Sequence, residues 1–328
     1  MYYKESGEIL KAVKSAGKIL IISHKNPDAD SIGSILGLFL ALSKLGIKAD
    51  ACCVDEVPGY LLFLPAVSKI TKVDFRKLEF QKYSLIMVLD SSSWEQITEA
   101  GAGLEKIKGN TMVLVIDHHA SNKVFGKINL VVKDASSTSE IIYRLLTDWN
   151  VKVNSDIANN LLAGIIGDTG SFRFPKINAD VFEVAADLIR KGANRDKIIK
   201  NLFFSADFKE LKFLSEILKS SVLDKKNKII WSAVPYERYL RLGKPDGVGF
   251  SGTFFQGVKG TKIGVYMVEK EKNVLDVSLR ARENYDVSKI AIKLGGGGHK
   301  RAAGATVRGL KFKDAVCGVL DVIRENLN

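Results

Sequence analysis

Cysteine and histidine are scarce in this chain of 328 residues, which has three cysteines and four histidines. Cys52 and Cys53 are adjacent and Cys317 stands alone, so no Cys-x-x-Cys pair indicates a zinc or redox site. We expect all three to be buried thiols of a protein in a reducing cytoplasm. The cysteine count excludes a disulfide-stabilised secreted domain.

Long apolar runs are also missing. The longest, IGSILGLFLAL at 32–42, is well short of the ~20 residues that a membrane-spanning helix needs. The N-terminus, MYYKESGEIL, has no basic start followed by an apolar core and so does not resemble a secretory signal. We therefore expect a cytoplasmic protein without a membrane segment.

Positive charge is in excess and is unevenly distributed. The formal net charge is +12, and residues 227–328 alone contribute +8 of it, with 18 basic and 10 acidic side chains. This excess favours an anionic partner for the last third of the chain, although solvated lysines give the same count.

Short β-branched apolar runs alternate with helical patterns in the first half of the chain. This alternation is typical of a parallel sheet covered by helices. The apolar runs lie at 18–23, 47–54, 83–90 and 111–117, and the clearest helical pattern lies at 31–45. Residues 136–201 are predicted to be helical, beginning with Ser/Thr caps and a glutamate that suits a capping box.

A second, β-rich pattern begins near Lys228 with KIIWSAV and ends with a helix at 312–326. We expect an α/β protein with a parallel-sheet domain sandwiched by helices, a helical connector and a smaller α/β domain. The predicted boundaries are 1–193, 194–226 and 227–328.

Polar side chains follow the predicted strands where each of them ends. The segment SHKNPDADSIGS contains His24, Asp28 and Asp30 between a strand and a helix. Asn, Pro and Asp are also common turn and N-cap residues, so this segment alone leaves a turn and a metal site equally open. The other polar strand and helix ends are Asp90, Asp117, His118, His119 and Asp168.

The carboxyl ends of parallel strands converge on one crevice, so these acids and imidazoles are expected to meet there. So many buried acids are hard to hold together without a cation. Carboxylates and imidazoles without thiolate suit manganese, with magnesium, iron or cobalt as alternatives, better than structural zinc. Eight candidate ligands exceed the needs of one ion, and two ions match the two-metal scheme for phosphoester cleavage.

The second domain has its own motif, KLGGGGHKRAAGA at 293–305. Successive glycines allow backbone N–H groups to approach an anion closely, although such a run is often a flexible turn. His299, Lys300 and Arg301 add charge beside it, and Arg280 and Arg282 end a nearby strand. The segment is predicted to bind an anion.

Together these motifs resemble the DHH phosphoesterase superfamily, and the C-terminal segment resembles its DHH-associated domain, over essentially the whole chain. Within the superfamily the nanoRNase/pAp-phosphatase group is the most similar. The resemblance implies that His24 and Asp28 bind one manganese ion, that Asp30, His118 and Asp168 bind the other, and that Asp90 bridges them.

It also implies that His119 contacts the scissile phosphate and that Asp117 supports a neighbouring histidine. The residues that the resemblance assigns to the substrate are Phe172, Arg173, Arg280, Gly296, Gly297, Gly298 and His299.

Two segments depart from the family's pattern. Ala29 replaces the usual glycine of the first motif, which is tolerated only if the backbone there avoids positive φ. DGVGFSGTFFQGVKG, at 246–260, is less like the family's usual segment and bears on substrate preference. Ala120–Asn122, after the DHH motif, is interpreted as an ordinary turn.

The predicted function is a manganese-dependent phosphohydrolase that degrades very short RNA or DNA oligonucleotides to mononucleotides and removes the 3′-phosphate of 3′-phosphoadenosine 5′-phosphate (pAp). One alternative is a phosphodiesterase acting on pApA or c-di-AMP, and another is a non-catalytic nucleotide or RNA binder. A pyrophosphatase is disfavoured because the basic GGGGH segment suits a nucleotide. The sequence leaves a homodimer open.

Overall fold

The computed structural model describes residues 2–98, 107, 111–174, 177–245, 251–282, 285–298 and 300–327. The chain divides into two compact units, Met1–Ser205 and Ala206–Asn328. Each unit has its own sheet and its own hydrophobic core. The segment 194–226, which we interpreted as a connector, therefore contributes to both units.

A sheet of six strands, paired throughout in parallel, forms the centre of the first unit. Its order is β3-β2-β1-β4-β5-β6, so the direction of winding reverses between β1 and β4. The strands are β1 (Ile19–Ile22), β2 (Ala49–Cys53), β3 (Ile70–Lys72), β4 (Leu85–Leu89), β5 (Met112–Asp117) and β6 (Ile128–Val131). Ligand sites of such sheets lie outside the carboxyl ends of the strands at this reversal.

Helices of the first unit supply most of the apolar surface that buries the sheet. They are α1 (Ser6–Ser15), α2 (Ala29–Lys44), α3 (Thr138–Asp148), α4 (Ser155–Asp168), α5 (Ala179–Arg190) and α6 (Arg195–Phe203). Because α2 and α4 approach closely, a Cβ added to Gly167 would lie 2.6 Å from the Cβ of Ala29. Ala29 is the first residue of α2, in helical backbone, so its methyl group is accommodated.

The second unit has a mixed sheet in the order β11-β12-β10-β9-β8-β7, in which β8 and β9 are parallel and the other pairs antiparallel. Its strands are β7 (Val222–Asp224), β8 (Ile229–Val234), β9 (Ile263–Glu271), β10 (Val274–Ala281), β11 (Gly297–Gly298) and β12 (Ala302–Arg308). Its helices are α7 (Phe208–Lys219), α8 (Tyr236–Arg241), α9 (Ser251–Gln256), α10 (Val287–Lys293) and α11 (Phe312–Glu325). The α/β fold class is confirmed.

Several local expectations need correction. Cys52 and Cys53 are buried, but Cys317 is exposed because it lies on the outer side of α11, so the expectation of three buried thiols is wrong for it. Glu140 does not close a capping box on Ser137, since its carboxylate accepts the N–H of Ser136 (2.7 Å). Among the described residues, no helix is both long and apolar enough to cross a membrane.

Candidate metal centre

Three neighbouring strands end at this edge of the parallel sheet, and a predicted site residue lies at or just beyond the end of each. His24 lies just beyond β1, Asp90 directly follows β4, and Asp117 is the last residue of β5. Asp90 has a φ of 54°, a conformation that non-glycine residues rarely adopt, and its N–H donates to the Ile116 carbonyl (3.0 Å). Such a backbone is retained where the surrounding structure requires it, which is frequent at functional sites.

Asp90 lies at the centre of the candidate site, with a side chain that is 3% exposed. Its Oδ2 is 3.4 Å from Nε2 of His24, and its Oδ1 is 3.5 Å from Nε2 of His118. The hydroxyl of Thr138 donates to Oδ1 (3.1 Å). The two carboxylate oxygens of Asp90 therefore face different imidazoles.

Asp28 and Asp30 are held by the N-termini of two helices. Asp28 caps α2, where its Oδ1 accepts the N–H groups of Asp30 and Ser31 (3.0 Å each). The carboxylate of Asp30 accepts the N–H of Thr138 (2.6 Å) on one oxygen and that of Ser139 (2.9 Å) on the other, both at the start of α3. Nothing in the sequence indicates this role for Thr138 and Ser139 beyond a Ser/Thr-rich helix start.

Backbone carbonyls fix the tautomers of two histidines. Nδ1 of His24 donates to the Lys25 carbonyl (2.8 Å), and Nδ1 of His118 donates to the Ala135 carbonyl (3.3 Å). In both rings Nε2 then faces the carboxylates. Histidines that bind metal ions usually donate their other ring N–H in this way.

The described residues include three overlapping clusters in which the candidate ligand atoms lie within 4.8 Å of one another. They are His24–Asp28–Asp90, Asp30–His118–Asp168 and Asp90–His118–His119. Asp168, at the end of α4, is the third member of the Asp30–His118–Asp168 cluster, and its Oδ2 lies 3.4 Å from Nε2 of His118. This donor set of carboxylate oxygens and imidazole nitrogens suits a divalent metal ion.

The charges of the cluster shift several pKa values. Burial favours neutral His24, but the hydrogen bond to Asp90 and the charges of Asp28 and Asp90 outweigh it and raise the pKa of His24 to about 10. Burial also favours the neutral form of His118, but the charges of Asp168, Asp90 and Asp30 outweigh it and raise the pKa of His118 to about 9. Burial raises the pKa of Asp168 to about 7.

The two central carboxylates move in opposite directions. Burial and the charges of Asp90 and Asp168 raise the pKa of Asp30 well above its ordinary value. Burial also acts to raise the pKa of Asp90, but the hydrogen bond from His24 and the neighbouring imidazoles outweigh it and lower that pKa. Of these two carboxylates, Asp90 is therefore the one whose ionised form the surroundings favour.

Asp117 lies outside the three clusters and is paired with His119, which also lies 3.7 Å from Asp90 through its Nδ1. Nδ1 of His119 donates to Oδ1 of Asp117 (2.7 Å), and the Asp117 side chain is fully buried. Asn122 donates to the other oxygen, Oδ2 (2.6 Å). The turn predicted at Ala120–Asn122 is confirmed, since the Asn122 N–H donates to the His119 carbonyl (3.2 Å), but Asn122 is more than a turn residue because its side chain contacts the DHH motif.

A left-handed turn follows Asp168. Gly170, Ser171 and Phe172 have φ values of 57°, 60° and 62°, and the hydroxyl of Thr169 accepts the N–H of Phe172 (3.0 Å). The ring of Phe172 stacks on Phe182, with centroids 4.9 Å apart. Nε of Arg173 donates to the Gly170 carbonyl (2.6 Å).

In the second unit, Arg280 and the glycine run lie near the same end of the sheet, since Arg280 pairs with Ala302 and Gly298 with Ala303. The N–H of Gly296 donates to the Ala291 carbonyl (2.7 Å), so the expectation of an available N–H is wrong at this position. A Cβ on Gly298 would lie 2.6 Å from Cα of Ala303, whereas Gly297 has open space beside it. His299 lies outside the described residues.

A doubly wound parallel sheet with a carboxylate–imidazole cluster at its reversal defines an α/β protein built to hold divalent metal ions. Residues 18–165 match the model of the DHH family, N-terminal domain, and residues 253–327 match that of the DHHA1 domain. A relative in Thermus thermophilus, the bifunctional oligoribonuclease and PAP phosphatase NrnA, is 32% identical over 98% of this chain and 93% of its own. The chain belongs to the DHH family.

Two further similarities cover different parts of the chain. A probable manganese-dependent inorganic pyrophosphatase of Streptococcus thermophilus is 28% identical over 53% of this chain and 55% of its own. The crystal structure of an exopolyphosphatase-related protein from Bacteroides fragilis superposes with a TM-score of 0.86 at 23% identity, covering 98% of this chain and 95% of the other. The second similarity establishes the fold over nearly the full length.

Proposed function

We propose that this protein is a manganese-dependent phosphohydrolase that cleaves very short oligonucleotides to mononucleotides and removes the 3′-phosphate of pAp. One observation carries the proposal most directly: Asp90 presents one oxygen to His24 and the other to His118, 3.4 Å and 3.5 Å away. The relationship to the Thermus thermophilus NrnA supports the substrate class.

In this proposal His24 and Asp28 hold one ion, Asp30, His118 and Asp168 hold a second, and Asp90 serves both. Two such ions, when bound, supply an activated water and neutralise charge on the phosphoryl oxygens. Magnesium and cobalt have related preferences for oxygen and nitrogen ligands and are the alternatives to test. The similarity to manganese-dependent pyrophosphatases supports manganese.

The chain's own groups orient the substrate. His119 donates from Nδ1 to Asp117, so its contact with the scissile phosphate uses Nε2. An N–H at that nitrogen would donate a hydrogen bond to a phosphoryl oxygen, and the bond to Asp117 orients the ring for it. Phe172 and Arg173 are proposed to face the substrate from the turn after Asp168.

In the second unit, we assign phosphate or nucleotide binding to Arg280, Gly297, Gly298 and His299. Gly296 and Gly298 support this surface through close backbone packing, as the short distances beside them require. The net charge of +8 over residues 227–328 suits an anionic substrate.

A substrate panel tests the proposal. Protein stripped of metal is reconstituted separately with manganese, magnesium and cobalt, and is given pAp, pApA, c-di-AMP and RNAs from 2-mer to 24-mer. The expected result is turnover with manganese that is faster on the 2-mer than on the 24-mer. Preference for pApA or c-di-AMP would instead indicate the alternative diester, and binding without turnover would indicate a non-catalytic binder.

The variant Asp90→Asn tests the role of this site, because asparagine preserves the size of the side chain and removes the charge between the imidazoles. We expect it to abolish turnover. Asp156→Asn is the control, since Asp156 is an exposed residue in the first turn of α4, away from Asp168 at the other end of that helix. Equal activity of both variants would refute the assignment of the site.

A further inference from the structure

The side chain of Asn122 is connected to the ring of His119 through the buried carboxylate of Asp117, and the Asn122 backbone N–H also donates to the His119 carbonyl (3.2 Å). Its Nδ2 donates to Oδ2 of Asp117 (2.6 Å) and to the Ser91 carbonyl (3.1 Å). The other oxygen of Asp117 accepts Nδ1–H of His119 (2.7 Å). Asp117 is fully buried, and His119 is 7% exposed.

A carboxylate with a donor on each oxygen has little freedom to rotate about its last torsion. Asp117 is held from one side by Asn122 and holds the His119 ring from the other. Removing the Asn122 donor would leave a buried carboxylate oxygen without this bond, and Asp117 would relax toward another donor. The orientation of the His119 ring therefore depends on the Asn122 side chain through Asp117.

We propose that Asn122 is a positioning residue for phosphoester hydrolysis, acting through Asp117 to hold His119 Nε2 toward the scissile phosphate. This inference rests on the proposed function. The three clusters of candidate ligands do not contain Asp117, and His119 belongs only to the one formed with Asp90 and His118. Loss of Asn122 should therefore reduce the rate of the chemical step and leave metal binding nearly unchanged.

Asn122 also stabilises its own loop, because its Oδ1 accepts the N–H of Val124 (2.7 Å), a residue with a φ of 51°. Asn122→Asp separates the two roles. Aspartate preserves the acceptor for Val124 and forms such turns as readily as asparagine. It removes the donor to Asp117 and places a second carboxylate against it, which is repulsive.

The experiment measures kcat and KM on an RNA dimer at pH 8 with the manganese-loaded protein. Changes in groups that orient catalytic and metal-binding side chains typically cost about 10- to 100-fold. We expect such a loss of kcat in Asn122→Ala, at least as large a loss in Asn122→Asp, and little change in KM. Asn129→Ala is the matched control, since Asn129 makes two loop bonds with Gly126 (2.9 and 2.6 Å) and none with Asp117.

A double-mutant cycle distinguishes positioning from a general structural effect. In the His119→Ala background, Asn122→Asp should cost no further activity, because the ring that it positions is gone. A loss that is equal in both backgrounds, or wild-type kcat in Asn122→Asp, would overturn the inference. An inactive wild type would instead refute the proposed function.

A spectroscopic measurement tests the same coupling without turnover. In the magnesium-loaded protein, the Nδ1–H proton of His119 should exchange slowly with solvent because it is bonded to buried Asp117. Faster exchange is expected in Asn122→Ala and Asn122→Asp but not in Asn129→Ala. Unchanged exchange in all three variants would contradict the proposed coupling.

Discussion

The charge of Asp90 should largely determine the pKa of His24 in the metal-free protein. At an effective dielectric constant of about 20, unit charges 3.4 Å apart interact by about 5 kcal/mol, equal to ~3.6 pKa units. In Asp90→Asn the pKa of His24 should fall from about 10 toward its ordinary value or below, since burial still favours the neutral ring. The pKa of His118 should fall less from its value of about 9, because Oδ2 of Asp168 remains 3.4 Å from its Nε2.

Proton NMR of the chelator-treated protein measures this directly, since only four histidine Cε1–H signals need assignment. The pH is varied from 5 to 11 in wild type, Asp90→Asn and the control Asp156→Asn. Titration of His24 near 6.5 in wild type, or an unchanged midpoint in Asp90→Asn, would refute the electrostatic reasoning.

The affinity for metal ions should also depend on pH, because His24 and His118 are proposed metal ligands and have raised pKa values. A metal ion requires a deprotonated imidazole, so protons that His24 and His118 hold at pH 8 must leave when metal binds. Each released proton makes the association constant rise about tenfold per pH unit, so affinity increases from pH 7 toward pH 9. Calorimetry in buffers of different ionisation enthalpy should detect release of about two protons from these imidazoles in wild type, in addition to any held by Asp30 and Asp168, and fewer in Asp90→Asn. Release of none would contradict the raised pKa values.

Two further substitutions test the packing around the site. Thr138→Val removes the hydroxyl that donates to Asp90 but preserves the backbone N–H that donates to Asp30. Metal titration should therefore show weaker binding. Unchanged affinity would show that the hydroxyl bond to Asp90 is dispensable. Gly167→Ala places a methyl group 2.6 Å from the Cβ of Ala29 and should lower the free energy of unfolding by about 1–3 kcal/mol in urea titrations. Ala29→Gly in the same chain should restore most of that loss, and no rescue would show that strain lies elsewhere.

The ends of the parallel strands were predictable because their composition and position carry the signal. Buried parallel strands are continuous apolar runs, and polar residues such as His24 and Asp90 follow directly after them. The runs predicted at 18–23, 83–90 and 111–117 are confirmed as β1, β4 and β5. β3 and β6 were missed because Ile70–Lys72 and Ile128–Val131 are short edge strands without such a run.

The supporting contacts could not be predicted because they depend on tertiary proximity. Asn122 has the sequence appearance of a turn residue, and only the fold places its amide against Asp117. Thr138 appears as an ordinary helix start, yet it contacts both Asp30 and Asp90. The positive φ of Asp90 could not be predicted either, because the apolar run before it does not indicate the backbone conformation at its end.

The arrangement of helix N-termini explains how so many carboxylates are held close together before metal binds. The start of α2 donates two N–H groups to Asp28, and the start of α3 donates two to Asp30. Helix N-termini carry partial positive charge, which favours ionised carboxylates there. These bonds oppose the repulsion from Asp90 and Asp168, so they help to hold the two carboxylates in position beside the other candidate ligands.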